Sequence, residues 1–290
     1  MFPQFSPFTL PNLVSIDSID WKKAGLKLVF CALPHGTTQE IIAKLPQHLK
    51  IVDLSADFRF SDAAAYQTVY GHPHGAPHRL REFTCALPEH LAAAPTAHVG
   101  HPGCFPTATL LAAVPLLRLG LIEPEISVVA VTGSTGAGRT PTATTHHPAR
   151  RSTLFAYNPF RHRHQPEMEA LAQAKIHFIP QAGPFARGIH ATIQARLLDP
   201  LPAVEVTEAL RRFYTGAPFV DVLAEPPKLQ DVVGSNRCRL AVAAEGRHLA
   251  VFSVIDNLVK GAAGGAVQWL NRIYGFDEAT GLEAASLGWF

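Results

Sequence analysis

The sequence predicts an α/β protein with a parallel sheet in its first part and further strand-and-helix structure behind it. Two observations carry that expectation. A nearly continuous apolar run, Leu26 to Leu33, is followed by a helical stretch and then a second apolar run, Lys50 to Leu54, which is the order of a strand–helix–strand unit. Later segments then mix helical spacing with period-two, β-branched stretches. At 290 residues the chain is long enough for two ordinary domains.

Leu26 to Leu33 ends at the breaker Pro34-His35-Gly36, and Thr37, a residue type that caps helices, opens a helix to Leu45. Asp57 to His98 is rich in His and Pro and reads mostly as loop around a short helix near Asp62 to Gln67. Thr107 to Leu119 reads as a helix stopped by Gly120. Ile126 to Val131 is a strand running into the turn Gly133 to Arg139, and Thr140 to Arg163 is polar and irregular. Helices follow at Gln165–Ala174 and Val204–Tyr214, strands at Ile176–Pro180, His190–Leu198 and Leu249–Val254, and Asn257 to Ile273 begins as loop and becomes helix.

Composition removes several function classes. Hydrophobic residues make up 47% and charged residues 17%, with a net charge of +2, so nothing points to nucleic acid or an anionic membrane. No apolar run reaches membrane-spanning length, and Met1 to Asp20 lacks signal-peptide character, so a cytoplasmic protein is expected. The four cysteines, Cys31, Cys85, Cys104 and Cys238, follow neither disulfide nor zinc spacing, which suits a reducing compartment and allows a reactive thiol.

Cys104 follows Pro102-Gly103 at the entrance to a helix, where unpaired N–H groups favour thiolate and could hold an oxyanion; the alternative is a buried structural thiol. Histidine at 162 and 164 offers acid–base chemistry near neutral pH, and Glu167 could orient an imidazole; a solvated loop is the competing reading. No carboxylate or cysteine set accompanies these histidines, so no metal is expected. The turn Gly133-x-x-x-x-Gly138-Arg139-Thr140 is similar to a P-loop with Arg in place of Lys. Pro141 and the poor helix after it favour instead a glycine-rich loop, with Ser134 and Gly136, lining a cofactor or substrate phosphate. Asn257 offers an amide to a carboxamide ligand, or simply closes a strand-to-helix turn.

Together these motifs resemble the N-acetyl-gamma-glutamyl-phosphate reductases. The likeness runs through Ala32 to Gly36, Val52 to Arg59, His101 to Ala108, Ser134 to Arg139, His162 to Glu167, Arg187 to Ile189 and Asp256 to Gly264, in order along nearly the whole chain. The resemblance implies an aspartate-semialdehyde-dehydrogenase-like architecture. That is an incomplete Rossmann-type parallel-sheet domain (1–103 with 256–290) binding NADP(H), plus an α/β catalytic and dimerisation domain (104–255) with a mixed sheet. It implies that Cys104 attacks the acyl phosphate of the small-molecule substrate and that inorganic phosphate leaves. His164 would then be acid/base, with His162 and Glu167 in support. Arg59, Arg139 and Arg187 would bind the substrate's carboxylate or phosphate, since guanidinium matches both bidentately. Pro34, Gly36, Ser134, Gly136 and Asn257 would hold the cofactor. A homodimer or homotetramer is expected.

Two positions depart from the family pattern. His101 stands where Asn is usual. The family's opening strand and Gly-x-x-Gly-x-x-Gly loop have no counterpart. Roughly fifty to sixty residues, about one and a half βα units, are expected to be missing through a late start or a truncation, leaving an exposed sheet edge and weak NADPH binding. The competing functions are the same chemistry on aspartyl phosphate or carrier-linked aminoadipyl phosphate, and a non-catalytic truncated paralogue.

Overall fold

The computed structural model describes residues 3–91 and 96–288. Its first sheet has four parallel strands, β1 (Leu28–Cys31), β2 (Lys50–Asp53), β3 (Phe83–Cys85) and β4 (His98–Gly100), in the spatial order β1-β2-β4-β3. Helix α1 (Thr38–Lys44) joins β1 to β2, and α2 (Ala63–Tyr70) follows β2. The Thr37 hydroxyl does not cap α1; it turns back to donate to the Pro34 carbonyl at 2.6 Å. Asp62 does cap α2, accepting from the Ala65 N–H at 3.0 Å. Strands β3 and β4 are the structure within the stretch expected to be mostly loop, and Cys85 ends β3. Strand β1 lies at the sheet edge, where Phe30 is half-exposed; Phe8, Leu13 and Val14 are also exposed.

Helix α3 (Cys104–Arg118) crosses into the second part of the molecule. It is apolar on nearly every side, and Phe105 through Leu116 are all buried, so it forms the central rod of the main core. Pro115 has no N–H to give the Leu111 carbonyl one turn back, and the Tyr214 hydroxyl donates to that carbonyl instead, at 2.5 Å. Gly120 (φ 65°) turns the chain into the left-handed conformation after α3, as its sequence position implied.

The second sheet is mixed and seven-stranded. It comprises β5 (Ile122–Thr132), β6 (Phe155–Ala156), β7 (Lys175–Ala182), β8 (Ile189–Leu197), β9 (Val220–Val222), β10 (Cys238–Glu245) and β11 (His248–Ile255), in the order β6-β7-β5-β8-β11-β10-β9. Helices α4 (His147–Arg150), α5 (His164–Ala172) and α6 (Ala203–Phe213) connect its strands. Alternation explains its two faces. Ile126, Val128 and Ala130 of β5 enter the core with α3. Between them, the row Ile179–Val129–Thr192–Phe252 lies half-buried across four strands on the opposite face. A turn of π-helix, Val259–Ala263, leads into α7 (Gly264–Tyr274), which returns to the first sheet. There Ala266 and Trp269 pack on Val52 of β2 and Val99 of β4, and the Trp269 indole N–H donates to the Ala86 carbonyl at 3.2 Å.

Candidate active site

The site forms where the carboxyl ends of β2 and β4 meet the start of α3, the position at which open parallel sheets bind ligands. A cavity of about 190 Å³ lies there, lined among others by His35, Arg59, Cys104, Gly136, His164 and Asn257. It thus brings together residues from six separate sequence motifs.

Cys104 is the first residue of α3, with Gly103 as the extended residue before it. Close approach explains two glycines. A Cβ on Gly103 would lie 2.5 Å from His164 Nε2 and 2.8 Å from an Arg59 Nη1, and a Cβ on Gly261 would lie 2.7 Å from the Cys104 Cβ. The π-turn therefore packs its backbone directly on the nucleophile candidate, a placement common for such turns at functional sites. The expectation that the helix terminus holds the thiol as thiolate needs correction. Burial dominates and raises the Cys104 pKa, while Arg59 and the backbone N–H of Phe105 pull it down only in part. Burial thus favours the thiol form over the thiolate here.

His164, in the first turn of α5, is 6% exposed. Its Nδ1 is buried without a hydrogen-bond partner. Burial, followed by the charges of its neighbours, holds its pKa well below the usual histidine value, which favours the neutral ring. His162 supports it through the backbone: the His164 N–H donates to His162 Nδ1 at 3.1 Å. The His162 ring is packed against Phe105, Tyr157 and Phe178, and its pKa is lowered to about 4 by burial and then by Arg163.

Glu167 does a different job from the one expected. Its carboxylate accepts from the Gly103 N–H at 2.7 Å and from Arg59 Nη1 at 3.1 Å, and it does not reach the orphaned His164 Nδ1. It ties the residue before Cys104 to Arg59. Arg59 is committed further by donation to the Leu54 carbonyl at 3.0 Å.

The remaining predicted residues divide between the cavity and its surroundings. Asn257 is on the wall, but its amide is engaged: Oδ1 accepts from the Gly188 N–H at 2.7 Å and Nδ2 donates to Thr135 Oγ1 at 3.1 Å. Gly136 is also on the wall. The turn that carries it is not an open phosphate cradle, because Gly133, Ser134 and Thr135 donate their N–H groups to the carbonyls of Gly188, Phe185 and Ala186. Ser134 is accordingly a backbone contact to the 185–188 loop. Gly36 gives its N–H to the Asp57 carboxylate at 2.8 Å, and the Pro34 carbonyl accepts from Thr37; between them His35 reaches the cavity. Arg187 pairs with Asp256 at 2.9 Å, and neither it nor Arg139 lines the cavity. His35, His101, Thr135, Arg163 and Gly261 line it without having been singled out for a site role. Adjacency to chosen residues was the available signal for His35, Thr135 and Arg163, the departure from the family's Asn was the signal for His101, and the glycine-rich run after Asn257 was the signal for Gly261.

A nicotinamide cofactor suits this place, because the crevice lies at strand carboxyl ends; Gly136 is a glycine there because a Cβ would stand 3.0 Å from Thr132 Oγ1 and 3.9 Å from Asn257 Nδ2. Among the described residues no group of three His, Cys, Asp or Glu side chains could hold a metal ion, and no helix is long and apolar enough to cross a membrane.

Fold and site together define a semialdehyde-dehydrogenase-type protein. Residues 9–83 match the family described as the semialdehyde dehydrogenase NAD binding domain, and residues 104–257 match its dimerisation domain. The fold is similar to that of aspartate semialdehyde dehydrogenase II from Vibrio cholerae, with a TM-score of 0.67 and 14% identity over 90% of this chain and 83% of that one. Within that class, the chain is 42% identical to the N-acetyl-gamma-glutamyl-phosphate reductase of Dehalococcoides mccartyi, covering 98% of this chain and 85% of the relative. It is 40% identical to that of Afipia carboxidovorans (99% and 86%) and to a probable chloroplastic one of Arabidopsis thaliana (97% and 73%). The chain belongs to the N-acetyl-gamma-glutamyl-phosphate reductase family.

Proposed function

We propose that the chain reduces N-acetyl-γ-glutamyl phosphate to N-acetylglutamate semialdehyde with NADPH, releasing phosphate, as a step of arginine biosynthesis. The observation that carries this reading is the placement of Cys104 at the start of α3, in one cavity with His164 and Arg59. Neutral His164 takes the thiol proton at Nε2. The sulfur then bonds to the acyl carbon, and the carbon–oxygen bond to phosphate breaks. The leaving oxygen keeps the electron pair and receives the proton from His164, so hydrogen phosphate departs and a Cys104 thioester remains. When bound beside Gly136 and Asn257, a nicotinamide cofactor would supply the hydride for reduction of the thioester. Charge developing on the carbonyl oxygen is stabilised by the N–H groups at the start of α3 and by the nearby fixed charge of Arg59, whose hydrogen bonds stay with Glu167 and Leu54. Cleavage of the carbon–sulfur bond then frees the aldehyde and returns the thiolate. In this scheme Glu167 and His162 position the reacting groups, and Gly136 and Asn257 line the cofactor's side of the cavity.

The reading divides the chain into 1–103 with 256–290, and 104–255, since α7 rejoins the first sheet. It places the enzyme in the cytoplasm as a homodimer or homotetramer, and the half-buried row Ile179–Val129–Thr192–Phe252 supports assembly through the open face of the mixed sheet. The test is oxidation in the reverse direction, with NADP, phosphate and each candidate semialdehyde. N-acetylglutamate semialdehyde should give the highest kcat/KM. A higher value with aspartate semialdehyde or a carrier-linked aminoadipate semialdehyde would overturn the substrate.

A further inference from the structure

We propose that Arg163 is the specificity-determining residue for the phosphoryl group, a role that rests on the acyl-phosphate reading above. Three arginines were expected to bind the substrate's anions, and the structure distributes them otherwise. Arg59 is buried and tied to Glu167, and Arg187 is tied to Asp256. Arg139 lies outside the lining of the cavity.

Arg163 lines the same cavity as Cys104 and makes no ion pair or side-chain hydrogen bond among the described residues. Its backbone is the cap residue of α5, and its side chain is exposed where it lines the cavity mouth. His164, 94% buried by its 6% exposure, lines the cavity next to it with Nδ1 unpartnered. The cation's charge acts on His35, His162 and His164 around the cavity.

The chemistry selects which anionic group belongs here. The phosphoryl oxygen is bonded to the very carbon that Cys104 attacks, so the phosphoryl group must sit within a bond or two of the sulfur's target. The substrate's carboxylate lies farther along its chain. As the carbon–oxygen bond breaks, negative charge gathers on the departing phosphate, and an uncommitted, planar guanidinium can pair with two of its oxygens.

The experiment compares wild type with R163M and R163K. In the reverse reaction, R163M should raise the KM for phosphate roughly 10–100-fold, the loss expected for charge-assisted hydrogen bonds, and leave the KM for the semialdehyde near wild type. R163K should fall between. A second readout does not need turnover: inorganic phosphate should protect Cys104 from iodoacetamide in wild type, and R163M should need correspondingly more phosphate. A rise confined to the semialdehyde KM would assign Arg163 to the carboxylate and overturn the proposal, as would an unchanged phosphate dependence in both assays. Inactive wild type with intact phosphate protection would defeat the acyl-phosphate reading while leaving the anion site standing.

Discussion

The two walls of the Cys104 cavity are built on opposite plans. On one side, Asn257, Thr135 and the 133–135 backbone have nearly every polar group engaged: the amide holds Gly188 and Thr135, and three N–H groups hold the 185–188 loop. On the other, α3 and α5 present groups left over, namely the Cys104 thiol, an imidazole with an unpartnered nitrogen, and the guanidinium of Arg163. A polar group already satisfied within the protein gives shape to a site, whereas an unsatisfied one has binding or reactivity to offer. Residue type alone does not separate the two. Arg59 and Arg163 are the same side chain lining the same cavity, but Arg59 is buried and paired with Glu167, whereas Arg163 is exposed and makes no ion pair among the described residues.

The strongest way to break the comparison is at the thiol. Cys104→Ser replaces a good nucleophile by a poor one without changing the wall's shape, so activity should fall more than ~10⁴-fold while the protein stays folded. Near-normal turnover in C104S would exclude the covalent thioester and make this wall another scaffold.

Glu167 is the point at which the open wall borrows the closed wall's plan. Glu167→Gln removes the charge that balances buried Arg59, a change expected to cost about 3 kcal/mol and to lower Tm by roughly 5–10 °C. Glu167 also raises the Cys104 pKa and Arg59 lowers it, so the variant's alkylation profile should move to lower pH. An unmoved profile would mean that Glu167 supports the backbone alone.

The sequence marks elements and chemistry better than it marks commitments. The β-branched strands β5, β7, β8 and β11 were legible through their alternating pattern, and the helix α3 through a long apolar run of helix-forming residues stopped by Gly120. The three-residue strands β3 and β9 hold too few residues for any period, and β10, Cys-Arg-Leu-Ala-Val-Ala-Ala-Glu, is rich in alanine, a poor strand marker; it is a strand because it pairs with β11 along its whole length. Cys104 stood out through the Pro-Gly before it. The turn at 133–139 misled because its donors are taken by residues about fifty positions later, which no local reading contains. Which of the candidate arginines reach the cavity was not legible for the same reason: Arg59 lines it, whereas a partner such as Asp256 for Arg187 exists only in the folded chain.

His101 offers the smallest test, and it concerns a leftover group of another kind. Its ring is 1% exposed, and neither nitrogen makes a well-formed hydrogen bond among the described residues, although the Lys260 backbone is close enough to favour its protonated form slightly. Burial, and then the charges of Arg59 and Lys260, lower its pKa to about 3, so the folded protein keeps it neutral. The unfolded chain protonates it near pH 6.5. Between those values the unfolded state binds one proton more, so this histidine's contribution to stability is complete above about pH 6.5 and is lost as the pH falls toward 3. The slope is about 1.4 kcal/mol per pH unit, and His90, with a pKa lowered to about 4, adds another over most of the same range. Replacement by the amide in His101→Asn removes one titrating group and keeps a polar side chain. Unfolding free energies from denaturant titrations at pH 6, 5.5 and 5 should therefore decline less steeply in H101N, by about that one-histidine slope. A constant offset between parallel lines would report only a packing change. Such a result would mean that the His101 imidazole finds a proton-stabilising partner in the folded protein, placing it with Asn257 among the committed groups.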